Sequence, residues 1–241
     1  MSANWKSYPT ADDTASACAT HILSVLDSAL SGGVATLAIS GGSTPKLMFA
    51  HLAKLKFDWT QVHVFFVDER AVPPTHADSN YKMAEEFFFQ PAHVPQRNVH
   101  RIHAELPPEV AAKHYRAEIH EVFGLEPGEL PHFDMMHLGI GPDAHTASLF
   151  PGEPLIEDRE HVVKPVWVEK LNSHRITLLP GVLLSARHAA VLAAGEDKAD
   201  AIEHILHGEY EPLKYPAQIV AHHSRRAVWF LDQAASARLS E

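Results

Sequence analysis

The sequence is poor in cysteine and in positive charge. Its one cysteine, Cys18, cannot close a disulfide within the chain, so the protein does not need an oxidising compartment. Lys and Arg number 20 against 30 Asp and Glu, which gives a formal net charge of −10 with histidine neutral. A chain with this balance does not neutralise a phosphate backbone over many sites, so the sequence predicts no nucleic-acid partner.

Long apolar runs and a secretion leader are also missing. Residues 34–39 form one of the longest apolar segments, which is far shorter than a membrane span. The first residues do not combine a basic start with an apolar stretch, the pattern of a signal peptide. The sequence therefore predicts a cytoplasmic protein with no membrane partner. Nothing in it demands more than a monomer.

The composition is that of an ordinary globular protein. Hydrophobic residues make up 46% and charged residues 21%, which excludes a collagen, a coiled coil and a mostly disordered chain. A chain of 241 residues can form a single α/β domain with a sizeable core. Such a chain buries roughly 70–75% of its unfolded surface on folding.

Short apolar runs alternate with helical patterns along the chain. Strands that alternate with helices pair in parallel through right-handed crossovers, and helices cover both sheet faces. The sequence therefore predicts one α/β domain over residues 1–241, with a Rossmann-like, mostly parallel sheet. The predicted strands are 34–39, 62–67, 99–102, 133–138, 162–168, 175–179, 188–194 and 227–231, and the predicted helices are 12–30, 45–55, 81–89, 109–123 and 197–207.

Polar residues and glycines follow four of these strands. In an open parallel sheet, ligands bind beyond the carboxyl ends of the strands, so these segments should surround a common mouth. The four segments are Ser40–Lys46, Asp68–Arg70, Gly139–Thr146 and Gly195–Lys198.

The segment after the first predicted strand indicates an anion site. Its glycines let the backbone approach a ligand closely, and Thr44 is a good N-cap before Pro45 at the first helical position. Free N–H groups and the helix dipole would then bind an anion, with hydroxyl groups from Ser43 and Thr44. The segment lacks the Walker A pattern, so a nucleoside triphosphate is not indicated. The alternative is a tight strand-to-helix turn that binds nothing.

The third segment contains Asp143 and His145. A histidine on a loop, with a carboxylate two residues away, can be held in one tautomer and act as a general base. The alternative is that His145 is a surface or capping residue. Residues 139–144 also match the dinucleotide fingerprint, but Pro142 and the prolines downstream argue against the helix that a pyrophosphate requires.

Charged residues in the other segments could hold an anionic ligand. Arg70 could bind a phosphate or carboxylate through its planar guanidinium group, or could belong to a solvated loop with Asp68 and Glu69. Lys198 lies just inside a predicted helix start, and Arg175 opens an apolar strand. The histidine pairs 204/207 and 222/223 lack the other ligands of a metal motif, so no metal site is predicted.

Taken together, these segments resemble the 6-phosphogluconolactonase family. The resemblance runs in order over nearly the whole chain, from about Ser40 to the final strand. The central motif ending in residues 146–152 is its most specific element, because it separates the lactonases from the related glucosamine-6-phosphate deaminase/isomerases. The segments that carry the resemblance are residues 37–45, 67–70, 78–81, 138–152, 175–178 and 195–199.

The resemblance implies hydrolysis of a sugar-phosphate lactone, 6-phospho-D-glucono-1,5-lactone, to 6-phosphogluconate in the oxidative pentose phosphate pathway. In that mechanism His145 takes a proton from the attacking water and Asp143 orients the imidazole. No metal or cofactor is implied. The implied phosphate-binding residues are Gly42, Ser43, Thr44, Arg70, Arg175 and Lys198, with Gly41 and Asp68 elsewhere in the pocket.

Ala144 departs from the family pattern, which usually has glycine between the Asp and the His of the central motif. If the backbone has positive φ at this position, alanine costs about 1–2 kcal/mol of strain. In a right-handed or extended conformation the change is mild. The geometry around His145 depends on which of the two holds.

Two other functions remain open from the sequence. One is an aldose–ketose isomerase/deaminase of the same fold that acts on an amino-sugar phosphate, although the motif after His145 argues against it. The other is a non-catalytic sugar-phosphate sensor domain. Such sensors usually carry a DNA-binding segment, and this sequence shows no basic amino-terminal extension.

Overall fold

The strands of the protein form two sheets. The structure is a computed structural model that describes residues 4–224 and 226–239. Over these residues a seven-stranded sheet and a three-stranded sheet are present. The strands are β1 (Asn4–Tyr8), β2 (Ala35–Ile39), β3 (Val62–Phe66), β4 (Asp68–Arg70), β5 (Val99–His100), β6 (Met135–Gly139), β7 (Val163–Val168), β8 (Ser173–Leu178), β9 (Ala189–Ala193) and β10 (Ala227–Asp232).

Helices follow most of the strands, and some of them begin or end at residues with capping chemistry. The Thr10 side chain accepts the backbone N–H of Asp13 at the start of the first helix, and Gly124 ends the fourth in a left-handed conformation. A π-helical turn at Glu85–Phe89 continues the third helix. The helices are α1 (Ala11–Ala29), α2 (Ser43–Lys54), α3 (Asn80–Ala84), α4 (Pro108–Phe123), α5 (Pro180–Ser185), α6 (Ala199–His207) and α7 (Gln218–His223).

The large sheet is parallel throughout and has the order β1-β10-β9-β6-β2-β3-β5. Every residue of β2 and β9 is buried, as expected for central strands with helices on both faces. The predicted fold class, a Rossmann-like and mostly parallel α/β protein, is confirmed. The expectation of one domain over residues 1–241 stays a prediction. None of the helices in the described ranges is long and apolar enough to cross a bilayer.

The small sheet was not predicted. Its order is β4-β8-β7 and both pairs are antiparallel. Asp68–Arg70 is therefore a strand, and its interpretation as a solvated loop is wrong. The β7–β8 connection is a tight turn in which Asn172 has φ 45°, and the two strands form an antiparallel hairpin, a pairing that the predicted parallel sheet did not include. β7 lies at an edge of the small sheet, a position in which a strand tolerates a proline such as Pro165.

Three further elements were missed because they are short or polar. β1 contains mostly exposed residues and pairs only with β10 at the sheet edge. α5 and α7 have 6 residues each, too few for a helical period to be recognised in the sequence.

A histidine lies inside the core close to the first Gly-rich loop. His137 on β6 is fully buried, and the backbone N–H of Ser40 donates to its Nδ1 at 3.4 Å. Burial lowers the pKa of His137 to about 3, because the apolar surroundings disfavour the charged ring. The ring is therefore neutral in the folded protein at neutral pH.

The buried neutral ring predicts a pH dependence of stability. In the unfolded chain the pKa of His137 is about 6.5, so below this pH the unfolded chain binds a proton at His137. The folded protein does not bind this proton until the pH is far lower. The free energy of unfolding should therefore fall by about 1.4 kcal/mol per pH unit from this residue alone as the pH drops below about 6.5. Urea unfolding of His137→Leu between pH 4.5 and 6 should show a shallower slope by this amount. The neighbouring core substitution Met136→Leu should keep the wild-type slope, and an unchanged slope in His137→Leu would contradict the assignment.

Candidate active site

A cavity of about 300 Å³ lies at the carboxyl ends of β2, β6 and β9, with the small sheet as a further wall. Parallel strands place their carboxyl ends at one edge, which is why distant segments meet there. Nine of the ten predicted site residues line it, and Asp143 lies behind His145. The nine are Gly41, Gly42, Ser43, Thr44, Asp68, Arg70, His145, Arg175 and Lys198.

The Gly-rich loop enters α2 two residues earlier than predicted. Gly42 is the residue before the helix, with φ 135°, and Ser43 begins it. Thr44 is therefore within the first turn, and its prediction as the N-cap is wrong. Glycine makes the early start possible because other residues rarely adopt this φ. The first-turn N–H groups still lack partners within the helix, so the loop keeps the character of an anion site.

His145 and Asp143 form a close pair on the turn that follows β6. The Asp143 Oδ1 atom lies 2.5 Å from His145 Nδ1 and accepts the backbone N–H of His145 at 3.3 Å. Burial alone raises the pKa of Asp143, but the hydrogen bond and charge of His145, followed by the hydrogen bond from Lys170, outweigh it and hold that pKa well below its usual range. Asp143 is thus a carboxylate that fixes the Nδ1–H tautomer. His145 Nε2 is then the ring nitrogen that carries no proton.

The turn that carries the pair is held at several points. The N–H of Gly141 donates to the carbonyl of His145 at 2.9 Å, and the Thr146 hydroxyl donates to the carbonyl of Gly139 at 3.0 Å. A Cβ atom on Gly141 would lie 2.0 Å from His145 Nδ1, so only glycine leaves room for the imidazole. The imidazole position is therefore set by the backbone as well as by Asp143.

Ala144 has φ 64° and lies in the left-handed region. The conformation is fixed from both sides, because its N–H donates to Gly141 and its carbonyl accepts the N–H of Ala217, each at 3.0 Å. Of the two possibilities left open by the sequence, the strained one holds. The Ala144 backbone thus adopts a conformation that glycine tolerates and alanine does not favour.

This strain predicts an unusual response to glycine. Ala144→Gly loses a buried methyl group and gains unfolded-state entropy, but it also relieves about 1–2 kcal/mol of strain. The free energy of unfolding should change by less than about 0.5 kcal/mol. Ala111→Gly, at an equally buried right-handed position in α4, should lose roughly 1–2 kcal/mol, because it has no strain to relieve. Equal losses in the two variants, measured by urea unfolding, would contradict the argument.

Arg70 and Arg175 are directly opposite each other on β4 and β8. Like charges in this position repel. Burial, and after it the charge of Arg70, lowers the pKa of Arg175. Among the described residues, neither arginine has a carboxylate within ion-pair distance, and Arg70 Nε is buried without a hydrogen-bond partner. The Nη1 atoms donate to neutral acceptors, the Asp78 carbonyl and the Ser173 hydroxyl. The pair therefore forms a cationic wall suited to an anion.

The acidic neighbours of Arg70 have different roles. Glu69 is 2% exposed, and its carboxylate accepts the backbone N–H groups of Arg70, Asn80 and Tyr81 at 2.8 Å. Burial raises the pKa of Glu69, and these hydrogen bonds oppose the rise. Glu69 thus anchors the start of α3 to β4 outside the cavity. Asp68 lines the cavity and accepts the Ser148 hydroxyl at 2.6 Å, which links β4 to the His145 turn.

Lys198 ends a 3₁₀ turn, Glu196–Lys198, that precedes α6, so it is not inside the helix start as predicted. Its ammonium group donates to Asp197 at 2.8 Å while the side chain lines the cavity. Residues 139–144 lead into a turn and not into a helix. They therefore lack the helix N-terminus on which the dinucleotide interpretation depends.

Sequence reasoning missed four side chains at this site. Lys170 and Phe150 line the cavity and contact each other, Ser148 orients Asp68, and the Asn80 amide donates to the Asp68 carbonyl. The sequence did contain a signal for Lys170, because the pattern around it is that of a β-hairpin. Two β-rich runs around a short polar turn predict a β-hairpin, which would have placed Lys170 at the same edge as Arg175.

The fold and the cavity define an α/β protein with an imidazole and several cations at the carboxyl edge of a Rossmann-like sheet. The sequence model of the family described as "Glucosamine-6-phosphate isomerases/6-phosphogluconolactonase" matches residues 9–229. The chain belongs to this family.

Individual relatives agree with this assignment. The chain is 35% identical to a 6-phosphogluconolactonase of a Nostoc species, with 91% of each chain covered. It is 36% identical to the 6-phosphogluconolactonase of Homo sapiens, over 85% of this chain and 80% of the other. Its structure is similar to that of 6-phosphogluconolactonase from Trypanosoma brucei, with a TM-score of 0.88, 25% identity and 99% of both chains covered.

Proposed function

We propose that this protein hydrolyses 6-phospho-D-glucono-1,5-lactone to 6-phospho-D-gluconate, a step of the oxidative pentose phosphate pathway. The observation that carries the proposal is one cavity lined by both an opposed arginine pair and His145, with Asp143 behind the imidazole. A phosphorylated lactone has a dianion at one end and an electrophilic carbonyl at the other. The names of the relatives support the same substrate. The cytoplasmic location and the monomeric state expected from the sequence stay predictions.

The phosphate is proposed to bind between the Gly-rich loop and the small sheet. N–H groups and hydroxyls at the start of α2 contact the phosphate oxygens, and the guanidinium groups of Arg70 and Arg175 supply the positive charge. The dianion also removes the repulsion between the two arginines. Binding of this distant group orients the ring carbonyl toward His145. The proposed phosphate-binding residues are Gly42, Ser43, Thr44, Arg70, Arg175 and Lys198.

The proposed chemistry is general-base hydrolysis. His145 Nε2 accepts a proton from a water molecule, whose oxygen bonds to the lactone carbonyl carbon. The carbon–oxygen bond of the ring ester then breaks, and the ring oxygen receives the proton from the imidazolium. Asp143 stabilises the charged ring through Nδ1. The negative charge on the carbonyl oxygen requires donors, which backbone N–H groups of the Gly-rich loops supply.

Replacement of the base should separate catalysis from binding. His145→Ala should lower kcat by about 10²–10⁴-fold, the usual contribution of a general base. The affinity for the product 6-phosphogluconate should stay within a few-fold of wild type, because the phosphate is held by other residues. The measurements are lactone loss above the spontaneous rate and product binding by calorimetry. His161→Ala, at an exposed histidine outside the cavity, is the control, and wild-type turnover in His145→Ala would exclude His145 as the base.

Removal of one arginine should mainly weaken the binding of the phosphorylated ligand. Arg70→Ala should weaken 6-phosphogluconate binding by about 10–100-fold, which corresponds to one or two charge-assisted hydrogen bonds. The free energy of unfolding without ligand should fall little, because the repulsion from Arg175 is removed as well. Calorimetry and urea unfolding test the two parts. Unchanged affinity would place the phosphate elsewhere.

Incubation with two substrates distinguishes the lactonase from the isomerase/deaminase branch of the family. The protein should accelerate loss of freshly generated lactone and should release no ammonia from glucosamine 6-phosphate. Ammonia release without lactone hydrolysis would reverse the proposal. Binding of both compounds with no turnover of either would favour a sugar-phosphate sensor.

A further inference from the structure

Lys170 lies at the turn of the β7–β8 hairpin and reaches the carboxylate behind the proposed base. Its Nζ atom contacts Asp143 Oδ2, while Asp143 Oδ1 contacts His145 Nδ1. Both carboxylate oxygens are therefore occupied by different partners. The Lys170 side chain is half-exposed and Asp143 is 27% exposed, so the ion pair forms at the mouth of the cavity.

Phe150 joins these groups into one cluster. Its ring centroid lies 4.2 Å from that of His145 and 4.5 Å from Lys170 Nζ. The ring packs against the imidazole and faces the ammonium group, which is a favourable cation–π arrangement. Lys170 is thus held by a carboxylate and an aromatic face together, and both partners also contact His145. An ordinary surface ion pair has no such second link to a functional group.

We propose that Lys170 is a positioning residue for the hydrolysis: its ammonium group holds the outer oxygen of Asp143 so that the inner oxygen stays on His145 Nδ1 and Nε2 faces the cavity. A carboxylate bound at one oxygen only is free to rotate about its terminal bond, which would disturb the tautomer and the direction of the imidazole. This inference rests on the proposed function, because it assigns a role in the same reaction.

Lys170 also offsets the negative charge of Asp143. Other charged groups lining the cavity are Asp68 and Arg70 from β4, Arg175 from β8 and Lys198 before α6. Loss of the lysine leaves Asp143 as a less balanced anion beside the imidazole and stabilises the protonated ring. The base is then neutral only at higher pH. The substrate phosphate is held by other residues, so binding should change little.

The test compares Lys170→Met with Lys170→Arg, which keeps the charge. Lys164→Met is the matched control, because Lys164 lies on β7 of the same hairpin and pairs with Asp158 at 3.4 Å. For each variant kcat and KM are measured between pH 5 and 9. The imidazole titration of His145 is followed by NMR, with His145→Ala used to assign its resonances. Thermal unfolding verifies that each variant is folded.

Lys170→Met should lower kcat about 10-fold with KM within about 3-fold, and should move the acidic limb of kcat/KM to higher pH by about 0.5–1 unit. The NMR midpoint of His145 should move in the same direction. Lys170→Arg should retain most of kcat, and Lys164→Met should match wild type. A higher KM at unchanged kcat, or an unmoved pH profile, would overturn the proposal.

The NMR titration separates failure of this inference from failure of the proposed function. If the wild-type protein does not hydrolyse the lactone, the proposed function fails, yet a shifted His145 midpoint in Lys170→Met still supports the contact through Asp143. If the wild-type protein is an active lactonase and neither the kinetics nor the midpoint changes in Lys170→Met, only the role of Lys170 is refuted.

Discussion

Two arginines on adjacent antiparallel strands impose the main electrostatic constraint on this molecule. Arg70 and Arg175 are register partners, and hydrogen bonds to a carbonyl and a hydroxyl do not neutralise their charge. The folded protein keeps this arrangement although burial and mutual repulsion oppose it, as the lowered pKa of Arg175 indicates. An anion between the strands would convert the repulsion into two attractive contacts. The electrostatics of the small sheet are therefore suited to the proposed binding of an anion.

The two sheets contribute different parts of the proposed active site. The parallel sheet supplies the Gly-rich loop after β2 and the His145 turn after β6, both fixed by backbone geometry. The antiparallel sheet supplies cations on longer side chains. The hydrogen bond between Ser148 and Asp68 joins the two parts at 2.6 Å. This link matters because proximity effects depend on the distance between the proposed phosphate-binding residues and the proposed base.

The sequence predicted the parallel sheet well because its central strands are apolar on both faces and end in glycine or a charged residue. It also brought nine cavity-lining residues together, since carboxyl ends of parallel strands share an edge. The sequence-based prediction failed where an element was too short to show a periodic pattern, or where its pairing partner was distant in the sequence. Asp68–Arg70 has 3 residues, so nothing local reveals a strand. Thr44 was assigned as a cap by residue preference, whereas the φ of Gly42, which the sequence does not reveal, set the helix start. Lys170 was missed with the hairpin that carries it.

In the turn around His145, contacts with the surrounding structure override the preference of alanine for negative φ. Ala144 and Ala147 both have positive φ, at 64° and 53°, on either side of His145 and Thr146. Two such residues cost of order 1–2 kcal/mol each and persist only where the surroundings determine the backbone. Here Gly141, Ala217 and Gly139 provide those contacts. The left-handed conformations fold the segment into a tight turn that sets the imidazole against Asp143 and Phe150. With a relaxed backbone the imidazole would no longer lie against Asp143 and Phe150. The strain at the two alanines therefore accompanies a turn that holds the proposed base in place before any ligand binds.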